Sequence, residues 1–316
     1  MHYLEFERPI AELEGKIVEL RKLAEQDPAM DVHGEVAKLE GRAGQMVRDT
    51  YAHLTPWQKV QVARHPARPH FMDYAKTLLE DFTPLAGDRQ YGEDQAVVAG
   101  LARFRGRPIV FIGQERGNDT QSRLKHNFGM AMPEGYRKAA RLFQLADRFG
   151  LPVLSFVDTS GAFPGVTAEE RGQAEAIARS IDAGLMVRAP FIASIIGEGG
   201  SGGAIAIAAA NRVYMLEHAV YSVISPESAS SILLRSADKA PEMASALKLT
   251  AQDARDLKLI DAIVPEPEGG AHRAPGVTIA AMADQIAQGL SELEGMSGEQ
   301  LVKARREKYL AMGRTL

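Results

Sequence analysis

Two short runs carry the strongest chemical signal in the 316-residue chain: Asp158-Thr-Ser-Gly-Ala-Phe-Pro-Gly165 and Gly197-Glu-Gly-Gly-Ser-Gly-Gly-Ala204. Residues without bulky side chains let backbone N–H groups point into a cavity. Such donors hold an anion, or an oxyanion developing during a reaction, without titrating. The second run leads straight into a helix-forming stretch, whose N-terminus adds partial positive charge. Glycine at a strand-to-helix turn often serves close packing alone. Five glycines in seven residues, with a similar loop upstream, favour the anion site here.

Three other uses of glycine runs fit less well. A phosphate-binding loop needs Lys-Ser/Thr after its last glycine to meet the terminal phosphate and Mg²⁺, and GEGGSGGA lacks them. A dinucleotide fingerprint needs an acid about 20 residues on, at the end of the next strand, where Glu217 is the nearest approach. Ser201 invites comparison with a nucleophile elbow, but that motif orders its triad Ser, acid, His, and His218 follows too closely with only a weak acid candidate between. Ser201 is therefore read as the cap of the following helix.

The elements that must position these runs are legible in the periodicity. AVVAGLARF (96–104) and PIVFIGQE (108–115) read as a hairpin turned by Arg105-Gly106-Arg107. Pro133 opens a helix that Gly150 closes, and the buried strand VLSFVDT (153–159) follows. The order then repeats: a helix over 168–187, the strand FIASIIGE (191–198), an Ala-rich helix over 203–210, and strands RVYML and AVYSVIS. Thr250-Ala-Gln-Asp253 caps a short helix before a last strand, LIDAIV (259–264). Alternating strands and helices imply an α/β core with largely parallel, two-side-buried strands. Both glycine runs then stand at carboxyl ends of strands, where open α/β sheets collect ligands.

Flanking segments differ. Ile10, Leu13, Ile17, Leu20 and Ala24 form one apolar stripe, Asp27-Pro28 breaks it, and Val36, Leu39, Ala43 and Met46 form a second. Two helices this short must pack on the main body or on another chain. In ARHPARPHFMDY (63–74), Pro66 and Pro69 enforce extended backbone between Arg64, His65, Arg68 and His70, and the stretch reads as a solvated linker. Residues 278–312 look helical and charged, a tail and not core. The expected divisions are 1–85 (helical, partner-binding), 86–265 (core) and 266–316 (helical).

Composition narrows the function. A net charge of −4, from 37 Lys+Arg against 41 Asp+Glu, supplies no global field for nucleic acid or an anionic membrane. The absence of cysteine excludes disulfides, thiolate nucleophiles and sulfur-ligated metal sites. Acids at the amino terminus and the lack of a long apolar run lead us to expect a cytoplasmic protein with no membrane partner.

Nine ordered blocks, FERPIAELEGKI, ARHPARPHFMDY, LAGDRQYGED, NFGMAMPEGYRKAARL, FVDTSGAFPGVTAEERGQAEAIAR, IIGEGGSGGAIAI, YSVISPESASSIL, SADKAPEMA and LKLIDAIVPEPEGGAHR, carry a further reading. With them the chain resembles the α subunits of bacterial acetyl-CoA carboxylase carboxyltransferases, a branch of the Clp protease/crotonase superfamily. The resemblance implies a crotonase-like α/β fold, a spiral of ββα units with helical N- and C-terminal extensions. It also implies transfer of a carboxyl group from carboxybiotin, tethered to the biotin carboxyl carrier protein, onto acetyl-CoA to give malonyl-CoA for fatty acid synthesis. Negative charge then appears on the biotin ureido oxygen and on the thioester oxygen, so two oxyanion holes are wanted. By the family pattern Gly202, Gly203 and Ala204 supply amides to the ureido oxygen. Gly161, Ala162, Pro164 and Gly165 form the facing wall and hold transient CO₂. The β subunit brings the other hole, most of the CoA site and a four-cysteine zinc ribbon, so zinc is expected there and no metal here. An α₂β₂ assembly, with biotin carboxylase in the larger complex, is implied as well.

Ser160 stands where the family usually has Pro, and 113–126 is less basic than in relatives. Glu169, Glu170 and Arg171 read as ordinary first-turn residues, and Glu227 as a helix cap or a partner of another chain. Two alternatives remain open in the sequence: a self-sufficient acyl-CoA hydratase or decarboxylase, and a non-catalytic assembly subunit whose glycines only pack.

Overall fold

The computed structural model describes residues 2–26 and 31–314, so the Asp27-Pro28 break lies outside the described residues. Helices α1 (Arg8–Gln26) and α2 (His33–Ala52) form the amino-terminal hairpin. Their stripes meet each other: Ile17, Val36, Leu39 and Ala43 are buried together, with Leu13, Leu20 and Ala24 packed against them. The base of the hairpin joins the body through Ile10, Val47 and Tyr51 against Val62. That last residue lies on α3 (Pro56–Ala63), which Thr55 starts with a capping box.

Between α3 and α4 (Phe71–Leu78) runs the segment expected to be a solvated linker. It is instead buried. Arg68 is 2% exposed. Its Nε donates to Ile196 O at 2.8 Å, and its two Nη atoms hold Glu266 at 2.9 and 2.6 Å. Pro66 does not extend the chain but opens a turn, closed by Arg68 N–H on His65 O at 2.9 Å, and the segment's charges find buried partners distant in sequence.

The sheet begins with β1 (Leu79–Pro84), β2 (Val97–Phe104) and β3 (Arg107–Gln114). These three pair antiparallel, and positive φ at Arg105 and Gly106 forms the tight turn between the last two. After the short α5 (Thr120–Lys125) comes α6 (Pro133–Phe149), ended by Gly150 at φ 64°. Then follow β4 (Val153–Thr159), α7 (Val166–Glu170), α8 (Gln173–Met186), β5 (Phe191–Gly200), α9 (Ser201–Ala208) and β6 (Arg212–Leu216). The single helix expected over 168–187 is two, because Gly172 at φ 79° breaks it. The chain continues through β7 (Val220–Ser222), α10 (Pro226–Leu234), α11 (Ala240–Ala246), α12 (Ala251–Asp256), β8 (Ala262–Val264), α13 (Pro275–Glu292) and α14 (Gly298–Ala311).

Strand order is β1-β2-β3-β4-β5-β6-β8, with β7 on β5. From β3 onward the pairs are parallel. On the edge away from β4, strand β5 has two partners: Ile192–Ile195 pair with β6, and Glu198–Gly200 pair with β7. Where it changes partner the β4–β5 register jumps, from Val157↔Ile195 to Thr159↔Gly199. The jump leaves Asp158 outside the ladder at the strand ends.

Helix α13 is not a tail. Ile279, Met282, Ile286 and Leu290 are buried in the same cluster as Phe111, Phe156 and Phe191. Its exposed charges hid an apolar face that only the sheet's outer surface completes. On α14, Arg305 is buried and donates to the carbonyls of Gly184, Leu185 and Val187, which close α8, and to Ala189 O. A cation at a helix C-terminus is favourably placed.

Candidate active site

Both glycine runs come together at the carboxyl ends of β4 and β5. A Cβ on Gly200 would lie 2.2 Å from Ser160 O, and one on Gly203 would lie 2.7 Å from Ala162 N and 2.8 Å from Gly161 C. These glycines let two backbones touch. Gly161 has φ +152°, which L-residues rarely adopt. Phe163 N–H donates to Ala131 O at 3.0 Å, and the Gln173 amide bridges Ala131 O and Phe163 O. Thus Gly161 and Ala162 lie half-buried against the start of α9, Pro164 is exposed, and Gly165 caps α7.

Opposite this wall, α9 presents its first turn. Ser201, Gly202 and Gly203 have no intrahelical acceptor for their N–H groups. The Ala204 N–H lies in register with Gly200 O, and Ala204 is buried. Gly202 is the most open: a Cβ there would meet only Ile177, at 3.5 Å. Ser201 does not cap the helix. Gly200 occupies the cap position with no side-chain bond, and Ser201 itself sits at φ 52° in the left-handed region. The abrupt strand-to-helix reversal forces that conformation, which carries the side chain away from cap geometry.

Beneath the loops lies a buried charged network that sequence reasoning missed. The Asp158 carboxylate accepts from Glu198 N–H at 3.1 Å, pairs with His70 Nδ1 at 3.0 Å and with Arg116 Nη1 at 3.3 Å. Burial pushes its pKa up, but Arg116, His70 and the Glu198 amide outweigh burial and hold it below the usual carboxylate range. Arg116 also reaches Glu198 at 2.7 Å. Arg64 ties Glu198 (2.8 Å) to Glu227 (2.5 Å), so Glu227 has its partner within this chain. Gln114, at the end of β3, donates to Gly203 O at 2.8 Å and accepts from Asp158 N–H at 3.2 Å. In the sequence Arg64 and His70 fall in an expected linker, Asp158 and Glu198 in the glycine runs and Glu227 at a helix start; the network joins residues 64 to 227, and no local spacing reveals it.

Beside α9 opens an apolar groove of about 530 Å³, lined by Ser201, Gly202, Ile205, Tyr221, Val223 and Met312 among others. Elsewhere, Glu7, His65 and His272 offer metal-ligand atoms within 4.8 Å of one another. Both His65 nitrogens are already engaged, with His2 O and Ala67 N–H, and Glu7 accepts from Tyr51 and from Leu4 N–H. That cluster is a packed junction under the hairpin.

The sequence profile of the acetyl co-enzyme A carboxylase carboxyltransferase-like family matches residues 3–313. The chain belongs to that family. Among curated members, the acetyl-coenzyme A carboxylase carboxyl transferase subunit alpha of Rhizobium johnstonii is 62% identical over 317 residues, covering 100% of both chains. The protein of the same name from Agrobacterium fabrum is 61% identical, again over 100% of both. Solved structures share the fold at low identity. Transcarboxylase 12S, with methylmalonyl-coenzyme A and methylmalonic acid bound, aligns at TM-score 0.57 and 20% identity over 71% of this chain and 41% of that one. A Pseudomonas malonate decarboxylase hetero-tetramer in complex with coenzyme A aligns at 0.56 and 18% over 71% and 88%. The architecture of this family member is therefore the crotonase-like α/β fold, and no helix among its described residues is long and apolar enough to cross a membrane.

Proposed function

We propose that this carboxyltransferase chain forms the biotin-side half of an acetyl-CoA carboxylase active site. As the α subunit it acts with a β subunit to move the carboxyl group of carboxybiotin onto acetyl-CoA, yielding malonyl-CoA. The observation that supports the assignment of parts is the open first turn of α9 facing the Gly161–Gly165 wall. Loss of CO₂ from carboxybiotin leaves negative charge on the ureido oxygen. Of the Gly202-Gly203-Ala204 turn, the Gly202 and Gly203 amides are free to stabilise that charge without reorganisation, while the Ala204 N–H closes the helix on Gly200 O. Gly161, Ala162, Pro164 and Gly165 close the opposite side and hold CO₂. The freed biotin nitrogen takes the methyl proton of acetyl-CoA, so no protein base is required. Asp158 is held ionised and so is no acid, and both its buried oxygens are engaged by His70, Arg116 and the Glu198 N–H, so it is not placed to act as a base; this argues against a self-sufficient hydratase or decarboxylase.

The rest of the assembly follows from the same reading. The β subunit carries the zinc ribbon and the second oxyanion hole, and the biotin carboxyl carrier protein delivers the substrate. Biotin carboxylase recharges the carrier, and the whole acts in the cytoplasm as an α₂β₂ carboxyltransferase. Residues 86–265 carry the site, residues 1–85 and 266–316 contribute Phe71 and Ile286 to the same core, and the amino-terminal segment is assigned to partner binding.

Substitution at Gly202 tests the oxyanion role, because a Cβ fits there. Gly202→Ala keeps the N–H and should retain most turnover, whereas Gly202→Pro removes it and should lower transfer by ~10²-fold or more in assembled complex. Equal activities would overturn the assignment.

A further inference from the structure

We propose that Gln114 is a positioning residue for carboxyl transfer: its buried carboxamide clips the first turn of α9 to the end of β4 and so sets the direction of the α9 amides. The inference rests on the oxyanion reading above. Gln114 is fully buried, and the chemistry of its partners fixes which way its amide points. Gly203 O only accepts and takes the Nε2 donor at 2.8 Å; Asp158 N–H only donates and meets Oε1 at 3.2 Å. A peptide unit is planar, so holding the Gly203 carbonyl also fixes the Ala204 N–H in the same plane, and through the helix the turn above it.

Backbone contact with Gly161 and Ala162 sets how near that end of α9 lies to the β4 loop but supplies no hydrogen bond to orient it. The helix is apolar on every side. The other side-chain ties to its carbonyls lie at the far end: Ser180 Oγ on Ala206 O and Ser155 Oγ on Ile207 O, each at 2.6 Å, and Tyr309 Oη on Ala208 O at 2.9 Å. Among the described residues, Gln114 supplies the one side-chain hydrogen bond to the backbone of the first turn. Apolar packing restrains a helix loosely about its axis, whereas a hydrogen bond to one carbonyl is directional. An oxyanion hole needs that direction, since a small misplacement of a donor costs much of its effect.

Gln114→Glu provides a readout that bulk packing does not. A protonated carboxyl group donates to Gly203 O and accepts from Asp158 N–H, reproducing the clip. An ionised one still accepts but sets negative charge against the Gly203 carbonyl. The surrounding charged and titratable groups are Asp158 from β4, Arg116 beyond β3, His70 ahead of α4, Glu198 from β5 and Tyr136 from α6. Burial and Asp158 favour the neutral form of the introduced acid, and Arg116 opposes them.

The experiment measures carboxyl transfer from malonyl-CoA to biocytin by the complex with the β subunit, at about pH 8 and about pH 6, as kcat and KM relative to the unsubstituted complex. For Gln114→Glu we expect relative kcat to be down ~10-fold or more at the higher pH and to recover several-fold at the lower, with KM for malonyl-CoA within about 2-fold. Gln114→Leu should be slow at both. Wild-type kcat for either variant at both pH values, or a pH-independent loss in Gln114→Glu that tracks loss of folded protein, would overturn the inference. If Gly202→Pro is slow while both Gln114 variants are normal, the oxyanion reading stands and this one falls. If Gly202→Pro keeps full turnover, the oxyanion reading itself fails and takes this one with it.

Discussion

Ser201 shows how a single residue changes meaning once its backbone is known. As a helix cap, its loss would cost ~1 kcal/mol. With φ at 52° and no cap bond, its side chain contributes nothing of that kind. Ser201→Ala should leave thermal stability within about 0.5 kcal/mol of the parent and keep most of the transfer activity. Ser201→Gly should raise stability by about 1 kcal/mol, because glycine adopts this conformation without the Cβ clash. Denaturant unfolding checks both. A large loss of turnover in folded Ser201→Ala would revive a serine nucleophile. Gly203 makes the complementary point: any side chain there collides with Ala162 and Gly161, so substitutions at 203 report packing as well as amide loss.

At the scale of elements, what was legible was what is local. The 2- and 3.6-residue periods located β2 to β5 and α6, and capping chemistry located Thr250 and Gly150. The two glycine loops were visible because small residues at strand ends have few other uses. Illegible were the segments whose partners are far away in sequence. Arg68 looked solvated until Glu266 and Ile196 O surrounded it, and the apolar face of α13 is shallow until it meets the sheet. Ile286→Ala should therefore cost about 2–5 kcal/mol in unfolding, where a true tail would lose almost nothing. The junction under the hairpin carries a pH signature. Burial, with neighbouring His65 and Arg273, lowers the His272 pKa from 6.5 to about 3, and burial lowers His65 and His218 as well. These bases stay neutral when folded and take protons on unfolding, so their stability is full above about pH 6.5 and declines as pH falls toward 3. Burial raises the Glu266 pKa, but Arg68 overrides it and holds it at about 2, so this group adds loss of the same sign between about 4.5 and 2. Melting temperature should drop from pH 7 to pH 5, and His272→Asn should flatten that slope. An unchanged slope would contradict the junction's role.

On the proposed function the whole molecule is half of a reaction site. The sheet ends in two touching loops, a buried ion network lies beneath them, and the first turn of an apolar helix leaves its amides without intrahelical acceptors. Both acids within the loops, Asp158 and Glu198, are held in ion pairs, which fits the proposal that the activity is divided between subunits. The most direct measurement is malonyl-CoA-dependent carboxylation of biocytin, the transfer run in reverse, by this chain alone, by the β subunit alone and by the two combined. The account predicts turnover only in the mixture, appearing with complex formation and absent from either subunit at matched concentration. Turnover by this chain alone would contradict it.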